Sequence, residues 1–233
     1  MNVPPSIAFR LATLLFAILL SLQCAWLSLT GLLRTGIDRL PTDPRAAAAA
    51  AGKRDAAARV ASIGAFRGEL WAQSAFTYAE LLFTEAGGGT NKNLKSASAR
   101  ARLNLDRALG DAPHQSGAWL LLAGLAARYP SPGLEAKQAL KMSYYTGPSE
   151  PDLMLLRLRI AAHSDAFSDI EIRQFVSRDL RVLLAQKQKS AIAEVYDVAS
   201  PAGQRFIEQV VKDFDSSAVD FLRAGPHKDV LPD

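Results

Sequence analysis

The segment Leu11–Leu33 reads LATLLFAILLSLQCAWLSLTGLL and runs for 23 residues without a charged side chain. As a helix it would extend about 34 Å, which is enough to cross the hydrocarbon layer of a bilayer. Arg10 and Arg34 bound the segment, and Trp26 lies toward its exit. The sequence therefore predicts a transmembrane signal anchor over residues 11–33, preceded by a tail over residues 1–10.

A cleaved signal peptide is the alternative for the same segment. The apolar region of such a peptide is ordinarily about 7–15 residues long and ends in a small-x-small site. This run is longer and has no clear site of that kind, and Gln23 stands where a lipoprotein site needs a small residue. The sequence favours an uncleaved anchor, whereas cleavage after Cys24 or Trp26 would release a soluble exported protein.

The side of the membrane that holds the C-terminal domain is open from the sequence. The basic residues after the span favour the cytoplasm under the positive-inside rule: Arg34, Arg39, Arg45 and Lys53. A tail of only ten residues before a single anchor is instead typical of chains whose long domain is exported. Of the two, we expect the periplasmic side.

The anchor has two expected partners. Membrane lipid would surround residues 11–33. Ala17, Ser21 and Ala25 form a small-xxx-small line, a pattern that lets two spanning helices approach closely. This line predicts a surface through which the spanning helix could self-associate.

The rest of the chain divides into a stalk, a domain and a tail. In the turn LPTDP, Thr42 or Asp43 can cap a new helix with Pro44 in its first turn. The alanine-rich sequence that follows has high helix propensity and little apolar surface to bury, so residues 34–59 are expected to form a turn and an exposed helical stalk. The domain is expected over 60–222, with a flexible glycine loop at 86–93 and a tail at 223–233.

Helix-start signals and apolar periodicity make the domain all-α. Ser149 with Pro151, a capping box from Ser168 to Glu171, and Ser200 with Pro201 each open a helix. Between these signals the apolar residues recur at helical spacing, and no alternating run with turn residues argues for a sheet.

Two segments of the domain share one spacing of small residues, leucine and proline. Alanine, leucine, a small residue and proline recur 35 residues apart at Ala101, Leu105, Ala108 and Pro113, and again at Ala136, Leu140, Ser143 and Pro148. Small side chains allow two helices to cross closely, a leucine one turn away fills the neighbouring groove, and the proline stops the helix. The spacing predicts paired antiparallel helices.

This pattern resembles the second helix of a tetratricopeptide repeat, whose period is about 34 residues. Trp71 with Tyr78, and Trp119, match in part the aromatic positions of the first helix. The two tryptophans are 48 residues apart, and the excess over 35 falls where the glycine loop lies. The resemblance covers residues 69–148, is looser over 152–186, and implies a stack of antiparallel helical hairpins after the transmembrane helix.

One anchor followed by a small tetratricopeptide-like domain is a layout similar to that of bacterial inner-membrane assembly factors. The segment ALKMSYYTGPSEPDLMLLRLRIA is also similar to uncharacterised proteins of proteobacterial polysaccharide loci. These resemblances imply a single-pass inner-membrane protein that binds other membrane or envelope proteins. They imply a role in envelope or surface-polysaccharide biogenesis.

Residue patterns that carry catalysis are missing from the sequence. Cys24 is the one cysteine, and His114, His163 and His227 are far apart, so no metal site is expected. The glycines at 87–89 precede no Lys-Ser or Lys-Thr pair of a phosphate loop. The 27 basic residues are scattered among 23 acidic ones, which disfavours a nucleic-acid partner. We expect a non-catalytic scaffold without a cofactor.

Six polar and aromatic residues are candidates for a partner-binding groove: Tyr144, Tyr145, Arg157, Arg159, Arg178 and Arg181. In one interpretation the arginines line a basic concave groove that takes an acidic peptide or an anionic polymer. In the other they pair with neighbouring carboxylates and cover apolar surface. The alternative function for the whole chain is an exported soluble module that binds carbohydrate or lipid.

Overall fold

The computed structural model describes residues 7–83, 92–130, 133, 135–215 and 218–224. Over these residues the chain is helical and contains no strand, which confirms the all-α prediction there. Two short 3-10 helices lie at Ala79–Leu82 and Asp165–Ser168. The α-helices are α1 (Ile7–Leu32), α2 (Pro44–Ala51), α3 (Arg54–Ile63), α4 (Gly68–Phe76), α5 (Lys92–Asp111), α6 (Ser116–Arg128), α7 (Ala136–Thr146), α8 (Pro151–His163), α9 (Ile170–Ala185), α10 (Lys189–Asp197), α11 (Pro201–Phe214) and α12 (Ala218–Ala224).

Three predicted boundaries differ from these helices. Residues 7–10, expected in the N-terminal tail, are the first turn of α1, and residues 92–93 of the expected loop begin α5. Residues 223–224 of the expected tail belong to α12. The rest of these three segments, at 1–6, 86–91 and 225–233, lies outside the described residues.

Helix α1 has the length and composition of a membrane span. Its part Phe9–Leu32 is 24 residues long and apolar enough to cross a bilayer, and no residue of its most apolar window is buried by the domain. Helix α1 therefore has the length and composition expected of a single membrane span. A signal sequence near the N-terminus has the same length and composition.

The alanine-rich segment is packed, and the expectation of an exposed stalk over 34–59 was wrong. Ala47, Ala50 and Ala57 are buried, as are Ile37 and Leu40 in the turn before them. Helix α2 lies against the 3-10 helix Ala79–Leu82, and α3 lies against α4. Alanine side chains allow this close contact because they project little beyond the helix backbone. The domain therefore begins at the end of the anchor.

Consecutive helices of the domain pack in pairs: α4 with α5, α6 with α7, and α8 with α9. Helices α10 and α11 pack on α8 and α9, and α12 packs on α10 and α11. The indole of Trp71 donates to the Ala65 carbonyl at 3.0 Å, and that of Trp119 donates to the Pro113 carbonyl at 2.8 Å. Each indole is thus bonded to the backbone six residues earlier in the chain, in the segment that leads into its helix. Stacking of the pairs in tetratricopeptide geometry remains a prediction.

The small residues of the first unit lie where helices meet. Ala101, Leu105 and Ala108 of α5 are fully buried. A Cβ built on Gly68, at the start of α4, would lie 2.7 Å from the Ala108 carbonyl oxygen and 2.8 Å from the Ala112 Cβ. The backbones of α4 and α5 are therefore so close that neither helix can carry a larger residue at this crossing.

The second unit repeats this burial with one difference. In α7, Leu140 and Ser143 are buried and Ala136 is half-buried. Helix α5 ends two residues before Pro113 and α7 ends two residues before Pro148, and both prolines are exposed. The repeated spacing of small residue, leucine and proline thus corresponds to the equivalent C-terminal ends of α5 and α7.

Capping side chains fix the starts of three further helices. Asp43 accepts from the Ala46 amide at the start of α2, and Ser200 accepts from the Gly203 amide at the start of α11, both at predicted positions. The predicted capping box at Ser168 is wrong by one residue. Asp169 is the N-cap of α9 and accepts from the Glu171 and Ile172 amides, because Ser168 still belongs to the preceding 3-10 helix.

Candidate functional site

The six predicted groove residues do not share one surface. Arg157 and Tyr144 lie in the core, with 0% and 1% of their surface exposed. The Arg157 guanidinium donates to Ser143 Oγ at 3.1 Å, to the Ser143 carbonyl at 2.6 Å and to the Gly147 carbonyl at 2.8 Å, and it lies 4.5 Å from the centre of the Tyr144 ring. Arg157 therefore caps the end of α7 and is withdrawn from the groove, contrary to that prediction.

A buried acid accompanies this arginine. Asp179 of α9 is fully buried, and burial raises the pKa of its carboxyl although the charge of Arg157 opposes the shift. Burial, together with the negative charge of Asp179, raises the pKa of Tyr144 well above its ordinary value. Four polar atoms here are buried without a hydrogen bond: Tyr144 Oη, Arg157 Nη1 and both carboxylate oxygens of Asp179. The cluster brings together side chains of α7, α8 and α9, and the Tyr144 ring stacks on Phe175 of α9 with the ring centres 4.9 Å apart.

Tyr145 lies at the edge of the same interface and remains half exposed. Its hydroxyl donates to Glu171, whose pKa is lowered first by this bond and then by Lys141. Lys141 forms ion pairs with Asp169 at 2.7 Å and Glu171 at 3.0 Å. Tyr145 therefore links α7 to the start of α9.

Arg159 faces a different cavity. This cavity, of about 270 Å³, lies between α6 and α8 and is lined in part by Phe83, Gly124, Arg128 and His163. The Arg159 guanidinium lies 5.7 Å from the centre of the Phe83 ring. The structure thus separates Arg159 from the other three arginines.

Arg178 and Arg181 do share a groove, formed between α9 and α11. The groove has a volume of about 660 Å³, and α9 contributes a third arginine to it, Arg173. Its apolar residues are Ile170, Val182, Ala185, Phe206 and Val210. An apolar floor edged by cations suits a segment that carries both apolar and acidic side chains.

The charges of this groove are unbalanced. Arg178 donates to the Pro148 carbonyl and has Asp179 Oδ1 at 3.6 Å from its Nη2. Within the described part of the chain, Arg173 and Arg181 form no ion pair. Asp213 of α11 is the acidic residue that lines the groove. The groove therefore has an excess of positive charge. Arg173 was missed from the sequence, although its spacing of eight residues from Arg181 indicates a shared helix face.

A larger cavity of about 900 Å³ lies between the turn at 36–43 and the starts of α6 and α8. It is lined by charges of both signs, including Arg39, Lys53, Glu150 and Asp152, and by His114. Arg39 and Asp152 form an ion pair at 2.7 Å. Among the described residues, no group of three or more His, Cys, Asp or Glu side chains is placed to hold a metal ion. Sequence reasoning missed this cavity because residues 34–59 were expected to stand apart from the domain.

No protein-family model, curated protein or solved structure matches this chain.

Proposed function

We propose that the protein is a non-catalytic, membrane-tethered scaffold or assembly factor that binds a partner protein in the groove between α9 and α11. The bound segment is helical or extended and carries acidic residues beside apolar ones. We place the protein in the bacterial inner membrane with its domain on the periplasmic side. Its partners are then envelope proteins, and surface-polysaccharide biogenesis is the process that the sequence resemblance favours.

The observation that carries this proposal is the excess of positive charge over an apolar floor. Apolar residues in the floor lose contact with water when a partner segment binds, at about 25 cal/mol per Å² buried. Among the described residues Arg173 and Arg181 form no ion pair, so a carboxylate of the partner would not have to displace an internal acid from either arginine.

Contacts at the end of α1 support an anchor that stays attached. The Trp26 indole donates to the Ile63 carbonyl at 3.0 Å, and Arg67 donates to the Thr30 hydroxyl at 2.7 Å. Trp26 and Thr30 thus join one side of the last two turns of α1 to the domain. This arrangement favours the tethered protein over the exported soluble module that is its alternative.

The test is binding of two fluorescein-labelled amphipathic peptides to the full-length protein in lipid nanodiscs. One peptide is built from leucine and glutamate, and the other has lysine in place of glutamate. The wild-type protein should bind the glutamate peptide more tightly, and Arg173→Glu with Arg181→Glu should reverse that preference. Arg178 is left unchanged because it contacts the buried cluster.

The matched control is Lys95→Glu with Arg100→Glu, which makes the same change in net charge on the exposed surface of α5. Because charges are screened over about 8 Å at physiological salt, this control should keep the wild-type preference. Equal binding of both peptides by the wild type, or a preference that the groove variant retains, would contradict the proposal.

A further inference from the structure

The turn between α3 and α4, residues 64–67, lies beside the spanning helix. Trp26, in the sixth position before the end of α1, bonds to the Ile63 carbonyl at the end of α3. One turn later Thr30 is fully buried, and its hydroxyl accepts from Arg67 at the other end of the turn. These two bonds fix the level of the turn along α1.

That level falls within the apolar length of α1. Trp26 lies six residues and Thr30 two residues before the end of α1, so at 1.5 Å per residue the turn lies between about 9 Å and about 3 Å before that end. Beyond Trp26 the apolar side chains of Leu27, Leu29 and Leu32 remain exposed, with 42%, 48% and 85% of their surface accessible. A bilayer that covers these leucines also reaches the turn.

The turn itself presents apolar side chains outward. Phe66 has 87% of its surface exposed, the highest value among the large hydrophobic residues that the structure describes, and Ile63 has 42%. Arg59, also exposed, lies one helical turn before Ile63 in α3. Aromatic residues with nearby arginines are typical of the boundary between acyl chains and phosphates.

We propose that this turn enters the membrane that α1 crosses, with Phe66 and Ile63 among the acyl chains near the headgroups and Arg59 at the lipid phosphates. The domain is then held against the bilayer at a fixed orientation, because the turn and the anchor are joined at Trp26 and Thr30. The inference rests on the proposed anchor and adds a second lipid contact to it.

The test uses the full-length protein, with Cys24→Ser, reconstituted in phosphatidylcholine–phosphatidylglycerol vesicles. A polarity-sensitive fluorophore is attached to one cysteine at a time, as Phe66→Cys, Leu19→Cys or Phe214→Cys. Lipids with a nitroxide near the headgroup end of the acyl chain are the quencher for position 66, lipids with a nitroxide near its methyl end are the quencher for position 19, and position 214 is tested with both. Leu19 reports on the anchor, and Phe214, half exposed on α11, is the matched exposed aromatic site away from it.

The expected result is quenched, blue-shifted emission at positions 66 and 19, with unquenched emission at position 214. Quenching at position 19 without quenching at 66 would overturn the membrane contact of the turn and leave the anchor standing. Quenching at neither position would overturn both. A blue shift at position 66 that nitroxide lipids do not quench would show that protein, such as a second copy of the chain, covers Phe66, and this too would overturn the inference.

Discussion

Replacing the buried arginine of α8 tests how the structure holds α7, α8 and α9 together. In Arg157→Met the side chain keeps its apolar body but loses the donors to Ser143 Oγ and to the Ser143 and Gly147 carbonyls. A hydrogen bond to a charged group contributes about 1.5–3 kcal/mol. Because burying the guanidinium is itself unfavourable, the net loss in the free energy of unfolding is expected at about 3–5 kcal/mol. That is a large part of the about 5–15 kcal/mol that stabilises an ordinary domain.

The loss should depend on pH through Asp179. Burial already raises the pKa of this carboxyl above 3.8, and Arg157 opposes the rise, so the pKa rises further in Arg157→Met. When the pKa of a carboxyl is higher in the folded than in the unfolded state, its contribution to the free energy of unfolding is fully present below the unfolded-state pKa. This contribution is lost as the pH rises through the folded-state pKa. The deficit of the variant should therefore be smaller at about pH 4 than at about pH 7.

Urea denaturation of the full-length protein in mild detergent, followed by far-ultraviolet circular dichroism, measures both effects. Asp179→Asn is the companion variant, because it removes the buried charge with little change of shape. Arg157→Met with Asp179→Asn should be more stable at neutral pH than Arg157→Met alone and should lose the extra pH dependence. A loss of no more than about 0.5 kcal/mol, as at an ordinary surface site, would refute the reasoning. So would a double variant no more stable than the single one.

Three further predictions concern the packing, the capping and the orientation of the domain. Gly68→Ala should lower the free energy of unfolding by about 1–3 kcal/mol, because the added methyl group would meet the Ala108 carbonyl oxygen. Gly110→Ala should raise the free energy of unfolding by about 0.5–1 kcal/mol, because the space around Gly110 is open and alanine favours the helix. Urea midpoints measure both changes. Asp169→Ala should lower the urea midpoint because it removes the cap of α9 and the ion pair with Lys141, whereas Ser168→Ala should leave it nearly unchanged. Equal midpoints for the two variants would contradict the assignment of the cap. Trypsin added to intact spheroplasts should degrade the domain, and protection until the membrane is permeabilised would place the domain in the cytoplasm.

Features set by local sequence could be predicted. The caps at Asp43 and Ser200 depend on residues within one helical turn, and the sequence reading found both. Burial of Ala101 and Ala108 also follows from their spacing with Leu105. These positions need no knowledge of distant parts of the chain.

Features set by distant contacts could not be predicted in the same way. Ala47 and Ala50 are buried because the 3-10 helix Ala79–Leu82 lies against α2. The alanine-rich sequence alone does not indicate which distant segment packs against it. Arg157 and Arg181 both have the charge of groove residues, yet Arg157 lies on the buried side of α8, off the stripe formed by Asp152, Arg159 and His163, whereas Arg181 lies on the exposed side of α9. An arginine that lies off the polar stripe of its own helix is a sign of burial with carbonyl partners, and the sequence contains that sign at Arg157.

Photo-crosslinking in living cells tests the central claim most directly. A benzoylphenylalanine in place of Ser177, which lines the groove, should give one discrete protein adduct. The adduct should disappear when Arg173→Glu and Arg181→Glu are added, and the same photoprobe at Leu103, exposed on α5, should not give it. An adduct that survives the charge reversal, or that forms equally from position 103, would contradict a partner held in the groove between α9 and α11.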